Sequence, residues 1–190
     1  MLDLRVPTVP AWTRVVLADL DAFLIDHAAC ERKASATAMS FVVRYPDRPA
    51  LIEPMIALAR EELEHFHQVY KLLAARDLRL GPDRKDPYIA ALMRELRVGR
   101  DPRLLDRLVL GGIVEARGCE RFGLIAAALP EGALKRFYTD ITRSEARHQG
   151  LFLRLARQLF DAETVRARVD ELLTREAEIV AGLPLHPALH

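Results

Sequence analysis

A chain of 190 residues, 51% hydrophobic and 29% charged, is long enough to bury one substantial core and short for two, which predicts a single domain over residues 1–190. Its formal net charge of +1 announces neither a nucleic-acid-coating nor an acid-binding surface overall. No apolar run approaches the roughly 18 residues of a membrane span, and Met1-Leu2-Asp3-Leu4-Arg5 is not a signal peptide, so the expectation is a soluble cytoplasmic protein with no membrane partner.

In chain order, proline and glycine fall between long helical stretches and no run alternates as strands do. After a leader with Pro7 and Pro10, residues from about Thr13 to Tyr45 read as helix, with a break near Asp19. Tyr45-Pro46-Asp47-Arg48-Pro49 is a turn, and a second helix runs from about Ala50 to Arg76, with Pro49 and Pro54 near its start. Leu78 to Asp86 is a loop. Pro87 to Val98 is a shorter helix, Gly99-Arg100-Asp101-Pro102 punctuates, and a long helix follows from Arg103 to Leu129. Pro130-Glu131-Gly132 is the next turn. Helices over Glu131–Phe160 and Ala162–Ala181 precede a tail with Pro184 and Pro187. Two helical hairpins joined by a long crossover give an all-α, ferritin-like four-helix bundle with additional crossover and C-terminal helices.

Two tetrads stand out, Glu62-Leu63-Glu64-His65 and Glu145-Ala146-Arg147-His148. Residues at i and i+3 of a helix share a face one turn apart, so each Glu and His of such a pair can grip one cation. Counting from the turns supplies their partners. Glu31 lies sixteen residues before Asp47 and Glu62 fifteen after it, so the two come level across an antiparallel pair. Around Pro130, Glu115 lies fifteen residues before and Glu145 fifteen after.

A second glutamate competes with Glu115. Cys119-Glu120-Arg121 repeats Cys30-Glu31-Arg32, and a duplicated hairpin would make Glu120 the counterpart of Glu31. The two are about 7.5 Å of rise and roughly 140° apart on a helix, so only one can occupy the ligand position. Level favours Glu115, and the choice stays open at the level of sequence. The candidate metal ligands are therefore Glu31, Glu62, His65, Glu115, Glu145 and His148, with Glu120 as the alternate. Four carboxylates around two divalent cations are neutral together, whereas bare buried carboxylates would repel one another. Carboxylates with one imidazole per metal suit iron or manganese better than zinc.

The remaining histidines and cysteines read as less specific. His27, one turn before Glu31, is a hydrogen-bonded core histidine or a partner of that ligand. Glu64 and His67 share the i, i+3 spacing but are turned away from the Glu62 and His65 face. His186 and His190 are expected to be solvated. Cys30 and Cys119 read as reduced core residues.

Four blocks carry a family resemblance: Asp26-His27-Ala28-Ala29-Cys30-Glu31-Arg32-Lys33-Ala34, Ala59-Arg60-Glu61-Glu62-Leu63-Glu64-His65-Phe66, Ile113-Val114-Glu115-Ala116-Arg117-Gly118-Cys119-Glu120-Arg121-Phe122, and Ser144-Glu145-Ala146-Arg147-His148. Over about Ala11 to Phe160 the chain resembles the tRNA hydroxylase family called MiaE. The resemblance implies a nonhaem diiron monooxygenase that hydroxylates the isopentenyl group of 2-methylthio-isopentenyladenosine next to the anticodon, with two iron ions, dioxygen as co-substrate, Glu31, Glu62, His65, Glu145 and His148 as ligands, and Glu115, with Glu120 as the alternate, as the sixth. It implies tRNA as partner and an external electron-transfer reductase, since no flavin or nicotinamide fingerprint is present. Residues 76 to 107 hold nine Arg or Lys against six Asp or Glu, and with Arg44 and Arg48 they are the candidate surface for tRNA phosphates. A ferritin-like iron-binding or iron-storage protein would use the same ligands without an organic substrate. A plain helical interaction module would need none of them.

Overall fold

The structure, a computed structural model, describes residues 2–190. All regular structure among them is helical: α1 (Pro10–Ala18), α2 (Leu20–Arg44), α3 (Pro49–Ala74), α4 (Pro87–Leu92), a 3-10 turn (Met93–Glu95), α5 (Arg100–Ala128), α6 (Ala133–Leu159) and α7 (Ala162–Gly182). The chain clusters into two compact units, one made of residues 14–84 with 186–189, the other of the chain up to Thr13 with 85–185 and 190.

The first unit is the hairpin of α2 and α3. The break near Asp19 is real: its carboxylate accepts from the Ala22 amide at 3.1 Å, capping α2. Arg48 donates its amide to the Tyr45 carbonyl at 3.1 Å to close the turn, and Pro49 occupies the first helical position of α3, where a missing N–H costs nothing. Pro54 lies farther inside and removes one intrahelical bond. Ser35 Oγ donates to the Ala59 carbonyl at 2.7 Å, which fixes the register of the pair. The buried stripe of α2 contains Phe23, Leu24, Ala28, Ala38 and Phe41 but also His27 and Glu31. That of α3 contains Leu51, Met55, Leu58, Val69 and Leu73 but also Glu62 and His65. Polar groups inside an apolar stripe cost free energy unless something satisfies them, and this anomaly marks the site. Past α3, Arg32 pairs with Asp83 at 2.5 Å and Lys33 donates to the Arg84 carbonyl at 3.2 Å, tying the loop back to α2. The tail returns to the same helix, where the Leu189 amide donates to Asp26 at 2.7 Å.

The second unit is the hairpin of α5 and α6, flanked by α4 and α7. Gly99, at φ 99°, lets the chain turn into α5. That helix begins at Arg100 rather than Arg103 because Pro102 falls in its first turn, where amides have no intrahelical acceptor. α4 is shorter than its sequence suggests. Asp86 caps it through the Tyr88 and Ile89 amides at 2.8 and 3.1 Å, but it ends at Leu92, and Leu96 is extended. The reason lies downstream: the Arg97 amide and guanidinium both donate to buried Asp106, at 2.7 and 2.7 Å, drawing the chain out of helical geometry. Burial pushes the Asp106 carboxyl up, but the bonds from Arg97 and Arg168 outweigh it and hold it below the usual range.

Helix α7 is anchored on α5 by charge. Arg168 Nε donates to Asp106 at 2.7 Å. Arg117, 0% exposed, donates Nε and Nη2 to the two oxygens of Glu176 at 2.9 and 3.1 Å. The Tyr88 hydroxyl donates to the same carboxylate at 3.1 Å, and burial together with Glu176 raises that phenol well above its ordinary value. Arg117 also donates to the Val6 carbonyl at 3.0 Å, binding the N-terminal segment to the unit. Farther along, Trp12 lies under the Arg121 guanidinium, 4.9 Å from its ring centroid. His190 departs from expectation: its ring stacks on Tyr88, centroids 5.1 Å apart and planes 9° from parallel, so it is covered rather than solvated. His186 is exposed, as expected.

Candidate metal centre

In the first hairpin, helical spacing aims three donors at one point. His65 Nδ1 lies 3.2 Å from Glu62 Oε2 and 3.7 Å from Glu31 Oε2. Ligand atoms of Glu31, Glu62 and His65 all fall within 4.8 Å of one another, and these residues are only 4%, 1% and 6% exposed. On its other side Glu31 is held by His27, whose Nε2 is 2.6 Å from Oε1.

The second hairpin repeats the construction. His148 Nδ1 lies 3.0 Å from Glu145 Oε2, the same pair of atoms as in the first tetrad. Glu115, half-buried on α5, offers an oxygen within 4.8 Å of both. Register explains the match. The Cys119 thiol donates to the Thr142 carbonyl at 3.4 Å, four residues after Glu115 and three before Glu145, as Ser35 and Ala59 stand to Glu31 and Glu62. Burial, and then Glu145, push the Cys119 thiol up, which keeps it in the neutral form that can donate.

Glu120 is placed elsewhere. Its carboxylate accepts from the Thr8 amide at 2.9 Å, the Thr8 hydroxyl at 2.7 Å and Arg117 Nη1 at 2.6 Å. Those bonds belong to the ionic cluster with Glu176, while Glu115 stands with Glu145 and His148. Glu64 and His67 are 57% and 56% exposed and face away from the buried stripe. Cys30 and Cys119 are half-buried thiols outside any disulfide, with the Cys30 thiol 3.7 Å from Asp26.

These donor sets fit a divalent cation in each hairpin. Two carboxylates and one imidazole at such separations concentrate negative charge in a buried place, and a cation at the point of convergence offsets that repulsion. Oxygen-rich donors with a single nitrogen suit iron or manganese. The structure brings together, three in each hairpin, the six residues that periodicity and level single out. Sequence reasoning missed the Arg117, Glu176 and Tyr88 cluster, whose members lie 59 and 88 residues apart and share no local signal.

The fold and these donors define the class: an all-α protein of the ferritin-like kind carrying a carboxylate and histidine metal cluster. Residues 2–190 match the family described as tRNA-(MS[2]IO[6]A)-hydroxylase (MiaE), and the chain belongs to that family. It is 40% identical over 174 residues to the tRNA 2-(methylsulfanyl)-N(6)-isopentenyladenosine(37) hydroxylase of Pseudomonas putida, covering 92% of this chain and 84% of that one. The hydroxylase of the same description from Salmonella typhimurium is 31% identical over 228 residues, covering 93% and 83%. Among solved structures, a Synechococcus protein described as protein 43 with aldehyde deformylating oxygenase activity superposes with a TM-score of 0.93 at 39% identity, over 98% of this chain and 94% of that one.

Proposed function

We propose that this chain hydroxylates the isopentenyl group of 2-methylthio-isopentenyladenosine next to the anticodon of tRNA, as one functional domain over residues 1–190. The single observation that carries the reading is the repeated donor set, Glu31, Glu62 and His65 in one hairpin and Glu115, Glu145 and His148 in the other, within a chain of the MiaE family. On this reading the six residues hold two iron ions.

Two bound irons would supply the activation of dioxygen that insertion into a strong C–H bond needs. The balance is one dioxygen, two electrons and two protons per hydroxyl formed, with the second oxygen leaving as water. No nucleotide-binding fingerprint is present, so the electrons come from an external reductase. The chain's own part is to hold the donors buried and aimed from fixed helical positions. It also presents a surface to the nucleic acid. Arg97 is committed to Asp106 and Arg76 to Asp21, which leaves exposed Arg79, Arg84, Lys85, Arg94 and Arg103 for phosphate contact. No helix among the described residues is long and apolar enough to cross a membrane, in keeping with work on tRNA in the cytoplasm.

The test separates three readings. The iron-loaded chain is supplied with reductant and dioxygen, and offered tRNA bearing the isopentenylated base or an aliphatic aldehyde. Hydroxylated nucleoside, detected by mass spectrometry after tRNA digestion, is the expected product. Aldehyde conversion without nucleoside product would move the chain toward the activity of its Synechococcus relative. Iron uptake into multi-subunit shells with neither product would make it a storage protein.

A further inference from the structure

We infer that His27 is a positioning residue that sets how Glu31 binds metal. It holds Oε1 in a hydrogen bond so that Glu31 reaches the cation through Oε2 alone. The inference rests on the metal reading above and goes beyond it by assigning a role to a residue outside the six ligands.

The geometry is specific. His27 is 0% exposed, and its Nε2 lies 2.6 Å from Glu31 Oε1. A carboxylate bound to metal is ionised and only accepts, so in the loaded site Nε2 carries the proton and donates. The other oxygen, Oε2, is the one turned toward His65 Nδ1 at 3.7 Å, on the side where Glu62 also presents its Oε2. The two oxygens of Glu31 thus have different assignments, one to the protein and one to the point of convergence. The imidazole is itself fixed by Phe23, one turn earlier, with ring centroids 6.1 Å apart and planes tilted by 32°. Phe23, His27 and Glu31 stand four residues apart on one face of α2, a ladder that aims the carboxylate before any metal arrives.

A carboxylate freed from this bond can swing or chelate through both oxygens, which changes both affinity and coordination number. The test is a cobalt(II) titration of the metal-free full-length protein, followed by visible absorption. His27→Met, which removes the donor while filling the space, is expected to weaken binding about 10- to 100-fold at the site containing Glu31. It should also alter the cobalt band intensity, which falls as coordination number rises. His27→Gln, whose amide can still donate, is expected to stay within about 3-fold of wild type with its spectrum. In a Glu31→Ala background, His27→Met should cost no more than about 2-fold further, because it acts through the missing carboxylate.

Unchanged affinity and spectrum in His27→Met would overturn the inference, as would an equal loss in the Glu31→Ala background, which marks a role in folding alone. If His27→Met does not fold, the cycle is run with His27→Gln, and a loss matching the Glu31→Ala variant overturns the inference equally. A wild-type protein that takes up no cobalt or iron overturns the metal reading itself, and is distinguished because no variant is then needed to see it.

Discussion

The two hairpins build the same donor triad on different supports. Ser35 and Cys119 occupy equivalent places, each four residues past the helix glutamate and each donating to a carbonyl on the partner helix, at 2.7 and 3.4 Å. One turn before the glutamate they part. The first hairpin has His27, bonded to Glu31 at 2.6 Å, whereas the second has Gly111, where an added Cβ would fall 2.7 Å from the Phe152 ring. Glu31 is thus gripped by a polar group within its own helix, whereas one turn before Glu115 the Phe152 ring fills the space of an absent side chain. The register also explains why Cys119-Glu120-Arg121 places Glu120 with Thr8 and Arg117 rather than with Glu145. Cys119 matches Ser35 in space rather than Cys30, so the repeated tripeptide is out of step by five residues.

The sharpest way to break this comparison is to exchange the glutamates' fates. Glu115→Ala is expected to lose at least half of the bound iron, measured as metal per chain on the purified protein, and to abolish hydroxylation. Glu120→Ala should keep its iron and instead lose about 1–2 kcal/mol of stability, since Arg117 and Thr8 forfeit a shared acceptor. The reverse pattern, iron lost with Glu120 and kept without Glu115, would restore the tripeptide as the guide to ligation.

Next in size is the ionic cluster that the second unit has in addition to its donors. Glu176→Gln leaves buried Arg117 with only half-buried Glu120 as counter-charge, and breaking such a pair costs roughly 3 kcal/mol. In a chain of this length that should lower Tm by roughly 6–12 °C, with the iron content of the folded protein unchanged. A fall in iron at constant Tm would mean that α7 supports the donors rather than the fold.

A smaller effect is expected at Gly111. Its alanine variant must displace the Phe152 ring, and overpacking of this kind costs about 1–3 kcal/mol. Adding Phe152→Leu should recover part of that loss, a non-additivity that a denaturation series would show. Additive losses would mean that the ring and the glycine do not meet as described.

Much of this could be read from sequence, and the remainder fails for identifiable reasons. Pro49, Gly99 and Pro130 mark boundaries because their backbone chemistry is local, and Asp19 announces its break as a side-chain cap. Paired glutamates are legible because the turn supplies an origin from which level can be counted. The early end of α4 is not, because it depends on Asp106 pulling Arg97 from nine residues away. His190 is not, because its covering ring, Tyr88, lies 102 positions earlier. For Arg117 the sequence shows one more arginine among twenty-four, and only the packing of α7 makes it a buried ion.

The smallest expected effect isolates what the tetrads do and do not mean. Glu64 and His67 have the spacing of Glu62 and His65, on the same helix and only two residues on, yet they lie on its exposed face, 3.8 Å apart and more than half solvated. A cation held there would be bound by two donors in competition with water, whereas Glu62 and His65 share theirs with buried Glu31. Exposed ion pairs contribute little because both side chains are solvated when apart. His67→Ala and Glu64→Ala should therefore leave iron content unchanged and move Tm by about 2 °C or less. Their buried neighbours, changed the same way, should lose the metal. If all four variants behaved alike, helix spacing alone would decide ligation and burial would be incidental. A clean separation would assign the chemistry to the buried face.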